Sequence, residues 1–343
     1  NGNPLAYSNC LIDFRAFNAC TLGDTDSDRF CDAAIRHAHC CRNKYGHPTG
    51  IPPAEFCHPQ YTLPLIMVPL DNKTWRLILS PPEGGATNMA IDEAILLAAG
   101  RGEVPPTLRL YSWAPPCLSL GYAQPSSDVD YPQLEARGWE IVRRPTGGRA
   151  ILHTDELTYA VIGQDSNPIL AGGVLESYQR ISQALLSALH HLNIPAQANP
   201  QKLNESGDQS QEPICFEVPS NYEIIFQGRK LIGSAQARKR SAVLQHGSLP
   251  LYGDLARISL ALNYDTDAAR DEAANRLLGR ATTVEAVLGH RISWDSAAQA
   301  FANAFERKLD LELVPGELTL DEHQTVEKLV AEKYAHPTWT NRV

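Results

Sequence analysis

From Thr74 onward, short runs of alternating apolar and polar residues are interrupted by longer runs of helical period. TWRLIL, TLRLYSW, CLSLGY, WEIVRR, LTYAVIG, YEIIF, KLIGSA and AVLQHGSLPL each have the length and β-rich composition of a strand. Ala114-Pro115-Pro116 turns the second run into the third, and Gln227-Gly228 closes a hairpin between YEIIF and KLIGSA. Between the first two runs, PPEGGATN reads as a loop ending in a helix cap at Thr87 or Asn88. Ile91, Ala94, Ile95 and Ala98 then recur at helical spacing until Gly100. GVLESYQRISQALLSALHHL predicts a long helix, and the polar stretch NPQKLNESGDQSQEP predicts a loop.

Beyond about residue 262 the pattern is helical. TTVE at Thr282–Glu285 has the form of a capping box. Trp294, Ala298, Phe301 and Phe305 make one apolar stripe, and Val326, Leu329 and Val330 begin another. No internal repeat interrupts this order. It predicts an α/β (α+β) chain with a mixed central β-sheet flanked by helices: a core over 67–262, and a helical C-terminal section over 263–343 packed on it.

Residues 1–66 lack that pattern. Six of the eight cysteines fall there, at Cys10, Cys20, Cys31, Cys40, Cys41 and Cys57, and their spacing fits no standard zinc arrangement. The chain starts without Met, and its first Met is Met67, just ahead of the first strand. The expectation is a poorly structured extension, of the kind a translated non-native leader would give. It has neither the basic start nor the apolar run of a secretory signal. No apolar run is long enough to span a bilayer, so a cytoplasmic protein without a membrane partner is expected. The net charge of −9 speaks against broad nucleic-acid binding, while leaving room for a local basic face.

Three stretches could carry chemistry. In VRRPTGGRAILHTDELTYAVI, Arg143, Arg144 and Arg149 surround Gly147-Gly148 between strands. Small residues let a ligand approach the backbone, and guanidinium groups bind phosphate or carboxylate; a polar turn has the same composition. In CFEVPSNYEIIFQGRK, Cys215 stands fifteen residues before Lys230. A thiol between Ile214 and Phe216 is ordinarily a buried apolar group, and it becomes a nucleophile when a cation lowers its pKa. In GSAQARKRSAVLQHGSLPL, Gly233, Ser234, Ala235 and Gly247 suit a narrow channel. His246 there could act as a base or serve structurally. Cys117 reads as a core thiol.

Taken together with NMAIDEAILL and PPCLSLGYAQ, these stretches resemble the biotin/lipoate ligase and transferase superfamily, and within it the single-cysteine octanoyltransferases of the LipM type. The resemblance runs from about Trp75 to the C-terminus. It implies a biotin/lipoate ligase-like catalytic fold and a two-step acyl transfer. Cys215 would accept octanoyl from octanoyl-acyl carrier protein as a thioester, with Lys230 lowering the thiol pKa. The acyl group would then pass to a lysine of an E2 lipoyl domain of a 2-oxoacid dehydrogenase, or of glycine-cleavage H protein. Arg143, Arg144, Gly147, Gly148, Arg149, Gly233, Ser234 and Ala235 would line the substrate pocket. His153, His246 and Gly247 would adjoin it, His153 in a structural role.

The resemblance implies no ATP and no metal. Arg149 stands where ATP-using ligases usually have a third Gly, and Thr154 where many relatives have Asp. Alternatives on the same scaffold are an amidotransferase between H protein and E2 lipoyl domains, and an ATP-dependent lipoate-protein ligase. Acidic carrier proteins and lipoyl domains would need a basic face. Arg143, Arg144, Arg149, Arg229, Lys230, Arg238, Lys239 and Arg240 are the candidates for it.

Overall fold

The computed structural model describes residues 72–199 and 223–343. The expectations for 1–66, most of the polar loop before Cys215, and Cys215 itself fall outside the described residues. The first part of the fold runs β1 (Thr74–Leu79), α1 (Gly85–Gly100), β2 (Thr107–Tyr111), β3 (Cys117–Leu120) and α2 (Tyr131–Arg137). It continues through β4 (Glu140–Arg143), β5 (Ile151–His153), β6 (Glu156–Gln164), α3 (Val174–His191) and β7 (Gln197–Asn199). Then come β8 (Glu223–Phe226), β9 (Arg229–Lys239), β10 (Ala242–Pro250), α4 (Asp267–Arg280) and α5 (Val284–Leu288). The last elements are α6 (Trp294–Leu309), β11 (Glu312–Pro315), α7 (Leu320–Leu329), a π-helical turn (Val330–Tyr334) and α8 (Pro337–Thr340).

Eight strands form one mixed sheet in the order β11-β1-β2-β6-β10-β9-β8-β7, and β4-β3-β5 form a second. β1 runs parallel to both β11 and β2, whereas β2, β6, β10, β9, β8 and β7 alternate in direction. β6 shows why the mixed sheet sits at the centre. Leu157, Tyr159 and Val161 face a cluster that includes Leu185 of α3 and Phe301 and Phe305 of α6. Ala160 and Ile162 face a second cluster with Met89 and Ile95 of α1. Alternate side chains of a strand point to opposite faces, so both faces of this one are covered and its burial is nearly continuous.

Three local expectations need correction. α1 begins a turn before Thr87, with Gly84 at its N-cap and no side-chain cap of its own. Instead the Glu140 carboxylate of β4 accepts from Gly85 N at 2.7 Å, placing an anion at the positive end of the helix. Asn88 is thereby free for tertiary bonds: its amide donates to Glu83 O and Ser112 O, both at 3.0 Å. The cap of α5 is Thr283, which accepts from Ala286 N, one residue later than the TTVE pattern suggested. The C-terminal section is not wholly helical, because β11 joins the sheet edge beside β1.

Gly121 and Gly148 fix how the exit of β3 crosses the Arg-Gly loop. A Cβ on Gly121 would lie 1.8 Å from Gly148 O, and Gly148 itself has φ +95°. Gly121→Ala is therefore expected to displace that loop and destabilise the protein by roughly 1–3 kcal/mol or more. A thermal melt within a degree of wild type would contradict this.

Candidate active site

Two buried polar clusters lie under the middle of the sheet. At the first, Asp92 of α1 is fully buried and holds Arg109 of β2 at 2.7 Å, Tyr111 OH at 3.0 Å and His246 Nδ1 of β10 at 3.1 Å. Burial alone would raise the Asp92 pKa, but Arg109 and His246 outweigh it and hold the carboxyl below its ordinary value. Burial also pushes the His246 pKa down, against the pull of Asp92, so the ring is neutral at neutral pH. Its Nδ1–H then donates to Asp92, and Nε2 accepts from the Thr146 hydroxyl at 2.7 Å. Thr146 O accepts from Tyr122 N, so this chain of bonds leads from α1 through β10 into the Arg-Gly loop. His246 thus has both ring nitrogens engaged, one with Asp92 and one with Thr146.

At the second cluster, His153 Nδ1 meets Glu156 Oε1 at 2.7 Å and its Nε2 meets Ser119 Oγ at 2.8 Å. The His153 ring stacks on Trp113 with centroids 4.0 Å apart. Thr158 and Ser248 also donate to Glu156, at 2.5 and 2.8 Å. Burial raises the Glu156 pKa, yet His153 and these donors carry it below its ordinary value. The structural reading of His153 is consistent with this arrangement.

Over these clusters is a small cavity bordered by Gly233, Ser234, Ala235, His246, Gly247 and the His153 ring, with Arg144 also at its wall. Gly247 is small for a reason: a Cβ there would fall 2.5 Å from Gly233 O and 2.6 Å from Ser234 Oγ. Ser234 Oγ is also 2.7 Å from Tyr159 OH, a phenol whose pKa burial raises to about 12. Ser234 and Ala235 also border a much larger groove of about 1020 Å³. Its walls are Lys230 and Ser234–Arg238 of β9, Tyr122–Gln124 with Gly147, Gly148 and Arg149, and the start of α3. Val174 and Leu175 give that last wall exposed apolar side chains.

Lys230 is buried at the groove, its Nζ 2.5 Å from Glu223 Oε1 of β8. Glu223 is the second of two acidic residues in the motif that begins with Cys215, but the sequence reading assigned it no role. Asp92 and Glu156 were missed in the same way. Their signal was acidic residues within or at the head of largely apolar runs, NMAIDEAILL and ELTYAVI.

The expected pocket arginines divide. Arg149, Gly147 and Gly148 reach the groove, and Arg144 the small cavity. Arg143 borders neither. Its guanidinium donates to the carbonyls of Gly121 at 2.7 Å, Gln124 at 2.6 Å and Thr340 at 2.7 Å. It fastens the C-terminal segment to the loop behind the groove. Of the cations expected on a basic docking face, Arg143, Arg144 and Lys230 are buried. Arg149 and Arg229 are half-buried, and Arg238, Lys239 and Arg240 are exposed. Arg238 also donates to Leu170 O and Ser177 Oγ, and Lys239 pairs with Glu93 at 3.0 Å. Cys117 is buried and is the free cysteine among the described residues, with burial raising its thiol pKa well above the ordinary value. Among the described residues no cluster of ligands suited to a metal occurs and no helix is long and apolar enough to cross a membrane.

The sheet and its covering helices have counterparts in known proteins. Residues 85–306 match the lipoyl protein ligase A/B catalytic domain, and the chain belongs to that family. Within it, the chain is 43% identical over 276 residues to octanoyltransferase LipM of Kyrpidia tusciae, covering 79% of this chain and 99% of that one. It is 41% identical over 274 residues to octanoyltransferase LipM of Symbiobacterium thermophilum, covering 78% and 98%.

Among solved structures, a bipartite lipoate protein ligase of Thermoplasma acidophilum, studied with its E2 lipoyl domain, matches with TM-score 0.65 at 23% identity. The match covers 78% of this chain and 96% of that one. Lipoate-protein ligase A bound with ATP matches with TM-score 0.64 at 23% identity, covering 78% and 98%. These two show a shared fold alone. The LipM resemblance and the mixed-sheet fold expected from the sequence are both borne out.

Proposed function

We propose that the chain transfers octanoyl from octanoyl-acyl carrier protein to a lysine of a lipoyl domain or glycine-cleavage H protein, through a thioester on Cys215. The relatives carry the octanoyltransferase reading. The observation in this chain that supports the thioester route is Lys230, buried at a groove large enough for an acyl chain. A fixed ammonium there stabilises a thiolate supplied fifteen residues earlier in the sequence.

In the first step the Cys215 thiolate attacks the thioester carbonyl. The new C–S bond forms as the carrier's C–S bond breaks, and the carrier thiolate takes a proton from water. In the second, the neutral ε-amine of the acceptor lysine attacks octanoyl-Cys215. The amide C–N bond forms, Cys215 leaves as thiolate, and the amine's proton passes to solvent or a nearby base. The donor thioester already stores the activation, so the scheme uses neither ATP nor a metal.

The test is a comparison of donors with a purified lipoyl domain as acceptor, read by the mass of the acceptor. Octanoyl-acyl carrier protein without ATP is expected to give the octanoylated domain. Product only from octanoyl-H protein would make the chain an amidotransferase, and product only from octanoate with ATP would make it a ligase. Either result overturns the proposal.

A further inference from the structure

We infer that Glu223 is the positioning residue that holds the Lys230 side chain in place, and so sets the reactivity of Cys215. The inference rests on the thioester reading above and adds a residue to it.

Glu223 opens β8, and Lys230 stands near the start of the neighbouring β9. The hairpin between them closes at Gln227 and Gly228, with φ of 49° and 78°, as a two-residue turn with both central residues left-handed requires. A bulge between Ile224 and Ile225 shifts the register beside the pair. The Lys230 and Glu223 side chains are only 4% and 10% exposed, at an N···O distance of 2.5 Å. The Lys230 backbone is held as well, since Lys230 O accepts from Thr282 N at 3.0 Å.

A buried ammonium calls for an anion against it. Among the described residues, the groove's lining supplies none. Of these, the titratable groups that border it besides Lys230 are Arg149 from the loop, Arg238 from β9, Tyr122 from the β3 exit and Tyr178 from α3. From the end of α4, Arg280 precedes Ala281, which bridges to Lys230. The two groove arginines and Arg280 are cations and cannot pair with an ammonium. Glu223 from β8 is a carboxylate that does. It also limits where the Lys230 Nζ can point, because a charge-assisted bond this short fixes both partners. Glu223 does not touch substrate in this scheme; it acts through Lys230.

The experiment follows alkylation of the Cys215-containing peptide by iodoacetamide against pH, in the full chain, for wild type, Glu223→Gln, Glu223→Asp and Lys230→Met. Loss of the carboxylate releases the Lys230 side chain from its fixed position, and the thiolate then loses its nearby cation. Glu223→Gln is therefore expected to move the midpoint of Cys215 reactivity up by about one pH unit or more, a roughly tenfold loss of thiolate at neutral pH. It should match Lys230→Met, and adding the second substitution to the first should change nothing further. Glu223→Asp retains the charge and should recover part of the shift, and it serves as the test if the Gln variant does not fold. A Gln profile superimposed on wild type overturns the inference, as does an Asp profile no closer to wild type than that of Lys230→Met. In that case a Cys215→Ser variant inactive in octanoyl transfer would leave the thioester reading standing. Wild-type transfer by Cys215→Ser would remove the thioester reading itself.

Discussion

Cys215→Ser is expected to abolish octanoyl transfer, with a loss on the order of 10³–10⁶ in turnover. The magnitude follows from what the nucleophile does. Serine in the same place is a far weaker nucleophile at neutral pH, because a hydroxyl is almost wholly protonated where a cysteine beside a cation is largely thiolate. An ester formed on serine would also lack the thioester's readiness to pass its acyl group to an amine. The loss should appear in turnover more than in KM, since the groove proposed to take the acyl chain is built from β9, the Arg-Gly loop and α3. Steady-state octanoylation of a lipoyl domain measures it. A Cys215→Ser turnover within tenfold of wild type would contradict a covalent route.

Asp92→Ala is expected to give the largest loss of stability, about 3–5 kcal/mol, because it leaves the fully buried Arg109 guanidinium without its carboxylate. It also removes the partner of His246 Nδ1, and through His246 the tie to Thr146 and the Arg-Gly loop. Activity should therefore fall beyond what the lost stability explains, with KM for the acyl donor rising. Chemical denaturation checks the first part and donor titration the second.

The pH dependence has a definite sign. The Asp92 carboxyl is held below its ordinary value in the folded protein, so the folded state binds this proton less readily than the unfolded state. Its stabilisation is present above about pH 3.9, the unfolded value, and disappears as pH falls through the folded one. His246, also lowered, adds stability that is present above about pH 6.5 and is lost on further acidification. Wild type should thus weaken from near pH 6.5 downward, and Asp92→Ala should lack the part below pH 4. Parallel stability curves for the two proteins across that acid range would contradict the assignment.

Most of the fold was legible because the strands alternate cleanly and are bounded by Gly and Pro. β6, β9 and β10 and the helices α3 and α6 lie where those patterns put them. What escaped the sequence depends on tertiary contacts. The start of α1 is capped by Glu140, 55 positions away, which no local cap signal can encode. β11 is four largely exposed residues that become a strand by pairing with β1. The site divides in the same way. Lys230, Ser234 and Gly247 could be singled out from their motif, whereas the pairing of Lys230 with Glu223 required the hairpin geometry. Arg143 looked like a ligand-binding arginine because it precedes a Gly-rich loop. A fully buried guanidinium is instead satisfied by backbone carbonyls, including one from the C-terminal segment.

The most direct test of the account is the intact mass of the purified protein after incubation with octanoyl-acyl carrier protein, with Cys215→Ser alongside. The account predicts one octanoyl adduct on wild type, released by hydroxylamine, and no hydroxylamine-labile adduct on the variant. A wild type that octanoylates a lipoyl domain from this donor, yet never carries an octanoyl group on Cys215 at any time point or pH, would contradict it.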